Sequence, residues 1–131
     1  VPMRALLITH GDLGSSLLAS AHRIYAVDAP IDVLSNEALD LEGLHRDVAA
    51  WLARDDEPAL LMVDVGGGSC GVAARRAPGP RPRTWILGGA NLPMILTYLG
   101  HQGQLEPEDL VSKLVDRAHN AVALLDPAEP R

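Results

Sequence analysis

His10 ends a run of apolar residues and is followed at once by Gly11 and Asp12, so an imidazole stands where the hydrophobic pattern stops. Two further apolar runs end in residues capable of chemistry. One leads into Asp64 and then Val65-Gly-Gly-Gly-Ser-Cys-Gly71; the other closes on Gly88-Gly-Ala-Asn91. A histidine with a carboxylate in hydrogen-bond reach serves proton and phosphoryl chemistry. The carboxylate accepts the N–H of one ring nitrogen and fixes the tautomer, which leaves the other nitrogen as a nucleophile. Backbone N–H groups in a glycine-rich turn at a helix start can hold an anionic phosphoryl group beside it. Each residue also has a purely structural reading: a solvated histidine, Asp64 as a helix cap, and Gly66, Gly67 and Gly68 as a tight turn.

The elements that must position these groups follow from the apolar periodicity. Short continuous apolar runs at Arg4–Thr9, Ile31–Leu34, Ala59–Val63 and Thr84–Leu87 predict strands covered on both faces. Helical spacing predicts a helix from Gly14 to about Val27, with Leu17, Leu18, Ala21, Ile24 and Tyr25 on one side. A second helix, capped by Asp40, carries Leu41, Leu44, Val48, Trp51 and Leu52. A short helix runs through Ala74, and another has Pro93 in its first turn. The last opens at Pro107 with apolar spacing through Leu110, Leu114, Val115, Ala118 and Val122. Strands alternating with helices predict an α/β fold, a three-layer α/β/α sandwich around a mainly parallel sheet of four to five strands. Right-handed crossovers put the loops after the strands on one edge, where His10, Asp64, Ser69 and Asn91 are expected to converge on one pocket.

Size and composition fit this reading. A chain of 131 residues suits a single domain, expected over residues 3–125 with a tail at 126–131. Hydrophobic residues make up 47% of it, with no Phe, so the core must come from aliphatic residues and Met. A net charge of −6 argues against nucleic acid as a partner. The one basic cluster, Arg75, Arg76, Arg81 and Arg83, lies in a Pro/Gly-rich stretch and reads as a solvated loop. A single cysteine cannot form an internal disulfide, which suits a reducing cytoplasm. The N-terminal apolar run is too short for a signal-peptide core or a membrane span. Val1 and Pro2 precede Met3 and read as foreign residues before the natural start.

Two pattern matches lead elsewhere. Gly66 to Gly71 satisfies the dinucleotide pattern G-x-G-x-x-G, but it follows the third strand and has no acidic residue about twenty positions on to hold a ribose. Gly67-Gly-Ser69-Cys-Gly71 satisfies the hydrolase elbow G-x-S-x-G, which needs a later Asp and His. Asp109 and His119 are the available pair, and they lie on one predicted helix. A thiol or serine enzyme using Ser69 or Cys70 with His10 stays open at this point. The other histidines, His22, His45, His101 and His119, fall on predicted helices without a partner at ligand spacing. No metal site is expected from them.

Three blocks taken together resemble the mannose-family (fructose/mannose/sorbose) IIA component of the bacterial sugar phosphotransferase system. They are Ala5-Leu-Leu-Ile-Thr-His-Gly11, Met62-Val-Asp-Val-Gly-Gly-Gly-Ser69 and Ile86-Leu-Gly-Gly-Ala-Asn-Leu-Pro-Met94. The family pattern is a strand ending in T-H-G, a D-x-x-G-G-S-P loop and a G-x-N-x-P-M segment. The resemblance implies that His10 accepts a phosphoryl group on Nε2 from the phosphocarrier protein HPr and passes it to a IIB component. That component in turn serves a sugar permease in the membrane. It implies that Asp64 pairs with the ring, and that Thr9, Gly67, Gly68, Ser69 and Asn91 line the phosphate pocket. It implies a cytoplasmic homodimer and no cofactor. Two positions depart from the pattern: Gly66 stands where the family usually has Trp, and Cys70 where it usually has Pro. A regulatory phosphoacceptor of the same fold, with no sugar transport, is the alternative. Strand exchange in the dimer would have to use Ala123-Leu-Leu-Asp-Pro127, where Pro127 limits any strand.

Overall fold

The four apolar runs are strands in the computed structural model, which describes residues 3–28, 30–101 and 103–128. Strands β1 (Arg4–Thr9), β2 (Ile31–Ser35), β3 (Ala59–Val63) and β4 (Thr84–Leu87) form one all-parallel sheet in the order β2-β1-β3-β4. The connecting helices are α1 (Leu13–Ile24), α2 (Leu41–Leu52) and α3 (Ser69–Arg76), with α4 (Leu92–His101) and α5 (Pro107–His119) after the last strand. Val1, Pro2 and the tail residues 129–131 lie outside the described residues.

Alternation along the strands builds the layers. Ala5 and Leu7 of β1 and Leu60 and Met62 of β3 face a cluster made by α1, α4 and α5, with Ala21, Ile95, Tyr98 and Leu114 at its centre. Leu6 and Ile8, with Leu61 and Val63, face Leu44, Val48 and Trp51 of α2 and Cys70, Ala73 and Ala74 of α3. Both sheet faces are thus covered, which is why the strands read as unbroken apolar runs. Helix starts follow local chemistry. The Asp40 carboxylate accepts from the Gly43 N–H at 2.8 Å, and Pro107 occupies the first turn of α5, where its missing N–H costs nothing.

Three expectations are corrected. Ile24 and Tyr25 do not join the buried face of α1: the helix stops at Ile24, the chain turns extended at Tyr25, and both side chains are exposed. Helix α5 ends at His119, and Val115 and Val122 are exposed. Val115 is one residue past buried Leu114, a step of about 100° that carries it off the core face. Arg81 is not a solvated loop residue. Its guanidinium donates to the carbonyls of Asp55 and Glu57 and to the Thr84 hydroxyl, tying the Pro-rich loop to the start of β4. The tail from Val122 to Ala128 forms neither helix nor strand, and Val122, Leu124 and Leu125 stand exposed.

The strand order also locates a crevice. From β1 the chain moves outward to β2, then returns to place β3 on the other side of β1. Helices α1 and α3 therefore leave β1 and β3 on opposite faces, and the loops part between them at the carboxyl edge. A switch point of this kind is where open parallel sheets place their sites.

Candidate functional site

His10 is the first residue after β1, and Asp64 the first after β3. The register pairs Ile8 with Val63, so the two loops start side by side. The Asp64 Oδ2 accepts from the His10 backbone N–H at 3.0 Å and lies 2.9 Å from His10 Nδ1, while Oδ1 accepts from the Val65 N–H at 2.9 Å. An ionised carboxylate only accepts, so Nδ1 carries the proton, and in the neutral ring that leaves the lone pair on Nε2. The Asp64 side chain is 8% exposed and the His10 side chain 43%, so a buried anion orients an accessible ring. Burial by itself would raise the Asp64 pKa. The backbone and ring N–H of His10 and the N–H of Val65 outweigh it and hold the carboxyl below its ordinary value.

The glycine loop meets the other edge of the ring. A Cβ on Gly68 would stand 3.0 Å from His10 Cε1 and 3.3 Å from Nε2, so a side chain there would push against the nucleophile. A Cβ on Gly71 would collide with the Gly66 carbonyl oxygen, so the loop can fold back on the start of α3 only with glycine at that position. The first backbone bond entering α3 runs from the Val72 N–H to the Gly68 carbonyl at 3.0 Å. The N–H groups of Ser69, Cys70 and Gly71 therefore have no helical acceptor, and they form the positive end of the helix beside Nε2.

The expected site residues separate into two groups. His10, Asp64 and Gly68 come together, and Ser69 opens α3 directly after Gly68, with Gly67 exposed before it. Thr9 and Asn91 are engaged elsewhere. Thr9 is fully buried and its Oγ1 accepts from the Gly14 N–H at 2.7 Å, which anchors the start of α1 beneath His10. Asn91 Oδ1 accepts from the Met94 N–H at 3.0 Å, capping α4, and its Nδ2 donates to the Ala118 carbonyl at 3.1 Å. Both ends of that amide hold helices, so its hydrogen-bonding atoms serve α4 and α5. Asp109 and His119 lie near opposite ends of α5, which leaves the hydrolase pattern without a triad.

Two contributors, Asn36 and Ser35, have no signature in the motif pattern. The Asn36 Oδ1 accepts from the Gly11 N–H at 3.0 Å, and the Ser35 hydroxyl donates to the Gly11 carbonyl at 2.7 Å; together they fix the turn that presents His10. Cys70 places its Sγ 3.8 Å from His10 Nδ1. Its position in the first turn of α3 is the signal, because helical side chains lean toward the N-terminus. Burial, with the Asp64 charge adding to it, pushes the Cys70 thiol up, so the thiol is not a ready nucleophile. The His10 ring, the Asp64 carboxylate and the Cys70 sulfur offer donor atoms that all lie within 4.8 Å of one another.

A cleft of about 670 Å³ opens beside Gly66 and Gly67, bordered by Arg75 and Trp85. No described helix is long and apolar enough to cross a membrane.

Comparison with known proteins adds a family. The family described as PTS system fructose IIA component matches residues 4–115. Among solved structures, the mannose/sorbose-specific IIA subunit of the phosphotransferase system from Enterococcus faecalis is similar at 27% identity and a TM-score of 0.84, over 100% of each chain. Phosphotransferase system component EIIA from Streptococcus agalactiae shares the fold at 17% identity and TM-score 0.83, over 92% of this chain and 95% of that one. A sigma-54 interaction domain protein from Enterococcus faecalis shares it at 14% identity and TM-score 0.72, over 93% and 98%. No curated protein sequence matches.

Proposed function

The chain belongs to the PTS system fructose IIA component family, and from that premise we propose that it is a phosphocarrier using His10. On this reading His10 Nε2 takes a phosphoryl group from phosphorylated HPr and hands it to a IIB component for sugar uptake. The observation that carries the reading is the 2.9 Å contact between His10 Nδ1 and buried Asp64, which directs the Nε2 lone pair outward beside Gly68.

The chemistry is a reversible displacement. The Nε2 lone pair forms a P–N bond while the P–N bond on HPr breaks and its electron pair returns to the HPr imidazole. Positive charge develops on the His10 ring, and the Asp64 carboxylate opposes it at hydrogen-bond distance. The N–H groups of Ser69, Cys70 and Gly71 are the donors for the phosphoryl oxygens, with the Ser69 hydroxyl and Gly67 at the rim. Every component comes from the protein chain, so the transfer needs no cofactor. The protein acts in the cytoplasm as a homodimer and reaches a membrane permease only through IIB. The mannose/sorbose specificity in the name of the Enterococcus relative makes hexoses and related sugars the first class to test.

A regulatory phosphoacceptor is the second reading. One feature favours it: with glycine at position 66 in place of the bulky residue of the family pattern, the loop borders an open cleft and offers a IIB partner no side chain there. One experiment separates the two. The protein mixed with phosphorylated HPr should gain the mass of one phosphate, and His10→Ala should gain none. Onward transfer to a IIB component supports transport; stable labelling without it supports regulation. Labelling of His10→Ala would remove His10 from the account.

A further inference from the structure

The Cys70 thiol lies beside the His10 ring, and phosphoryl transfer makes no use of it. Its Sγ is 3.8 Å from Nδ1, Asp64 Oδ2 is 2.9 Å from the same nitrogen, and all three donors lie within 4.8 Å of one another. Tetrahedral zinc, with bonds of about 2.0–2.3 Å, sets its donor atoms about 3.3–3.6 Å apart. The cluster straddles that spacing, tighter on the carboxylate side and looser on the sulfur side. Asp64 is held by the N–H groups of His10 and Val65, and Cys70 projects from the first turn of α3. The ring of His10 is 43% exposed, and glycine at position 68 leaves space beside its Cε1–Nε2 edge. Metal spacing requires the three donors to move from within 4.8 Å to about 3.3–3.6 Å of one another by small turns of the His10 and Cys70 side chains, and the exposed face of the ring leaves a fourth position for water.

We propose that His10 Nδ1, the Asp64 carboxylate and the Cys70 thiolate bind one soft divalent cation of the zinc type, and that this cation silences His10 as a phosphoryl acceptor. The second half rests on the phosphocarrier reading; the first does not. The donor set selects the ion: a thiolate with an imidazole favours zinc or cobalt over magnesium or calcium, which prefer oxygen donors. Two anionic ligands neutralise the charge of the ion. The positive end of α3 opposes a bare cation but stabilises the thiolate.

The protons account for the silencing. In the carrier state Nδ1–H points at Asp64 and Nε2 holds the lone pair. The metal needs the Nδ1 lone pair, so that proton moves through solvent to Nε2, and the Cys70 thiol proton is released to water. One proton leaves per metal bound. The ring now presents Nε2–H, which donates and cannot attack phosphorus.

Titrating Co2+ into the full chain tests the site directly. One equivalent should bind with a thiolate-to-cobalt charge-transfer absorption, and zinc should displace it. Cys70→Ala should lose the band and bind zinc at least ~100-fold more weakly. Cobalt bound without the band, or zinc bound equally by Cys70→Ala, overturns the site. The silencing has a readout independent of HPr, because diethyl pyrocarbonate modifies a histidine nitrogen only through its lone pair. Zinc at ten times its Kd should slow modification of the His10 peptide about tenfold in the parent protein. It should leave the rate unchanged in Cys70→Ala. The same zinc should slow phosphoryl uptake from phosphorylated HPr by a similar factor, and uptake by Cys70→Ala should be insensitive to it. Zinc bound at Cys70 with His10 still fully reactive overturns the silencing. If the protein accepts no phosphoryl group with or without zinc, the carrier reading fails, while the cobalt and modification results still decide the metal site.

Discussion

Two strand ends in this molecule carry glycines beside a polar side chain, and only one of them builds a reactive group. After β4, Gly88-Gly-Ala lead to Asn91, whose amide accepts from the Met94 N–H and donates to the Ala118 carbonyl. After β1 and β3, His10 and Asp64 meet each other, and one ring nitrogen is left facing Gly68. Residue type alone does not separate the two places. Unsatisfied capacity does: Asn91 has both ends of its amide paired with helices, whereas Asp64 fixes one nitrogen of His10 and thereby exposes the other. The sheet decides which loop gets which role, since β1 and β3 flank the switch point and β4 lies at the edge.

Substitutions can break this contrast, and their effects should fall in a definite order. His10→Ala should abolish phosphoryl uptake with little change in melting temperature, because the side chain is exposed; any uptake that survives moves the acceptor elsewhere. Asp64→Asn should come next, with uptake slowed by about 100-fold, since an amide can hold the ring in the wrong tautomer. Single-turnover transfer from phosphorylated HPr measures it, and a rate within twofold of the parent would detach Asp64 from the chemistry. Gly68→Ala should slow uptake by about tenfold, because its Cβ would stand 3.0 Å from the ring and displace the nucleophile by a few tenths of an ångström. Asn91→Ala should do the reverse of all three. It should cost about 1–2 kcal/mol in denaturant unfolding through loss of a helix cap, with uptake changed less than by Gly68→Ala. If Asn91→Ala instead proved as damaging to transfer as Asp64→Asn, the contrast between the two loops would collapse.

The smallest expected effect is one of pH on stability. The Asp64 carboxyl is held below its ordinary value, so in acid the folded protein binds fewer protons at this group than the unfolded chain does. Its stabilisation is complete above about pH 4, the unfolded aspartate range, and fades as pH falls through the folded value. The stability gap between the parent and Asp64→Asn should therefore be constant from pH 5 upward, to about pH 7, and narrow below about pH 4. A gap that widens in acid would mean that Asp64 is not the paired anion described.

Much of this is legible in the sequence itself. All four strands were placed to within a residue, because runs such as Ala59–Val63 are buried on both faces and carry no competing helical period. The pairing of His10 with Asp64 followed from strand alternation and the edge rule. The use made of Asn91 did not: a motif shows which residue stands at a turn, and its hydrogen-bond partner Ala118 lies on a helix 27 residues away. Asn36 and Ser35 escaped for the same reason, since their partner Gly11 is reached only through the β1–β2 pairing. The exposure of Ile24 and Val115 depends on where each helix stops and how it is rotated against the sheet, which periodicity leaves loose by a residue or two. Cys70 was visible as an oddity of the loop, but its approach to Nδ1 needed the folded turn of α3.

The central claim is that Asp64 holds Nδ1 and thereby makes Nε2 of His10 the acceptor. Proton–nitrogen correlation spectra of the ring, recorded before and after exposure to phosphorylated HPr, address it directly. A ring protonated on Nδ1 is expected in the free protein, with phosphorus coupling to Nε2 of His10 alone after transfer. Phosphorus coupling to Nδ1, or a free ring protonated on Nε2 in the absence of metal, would contradict it.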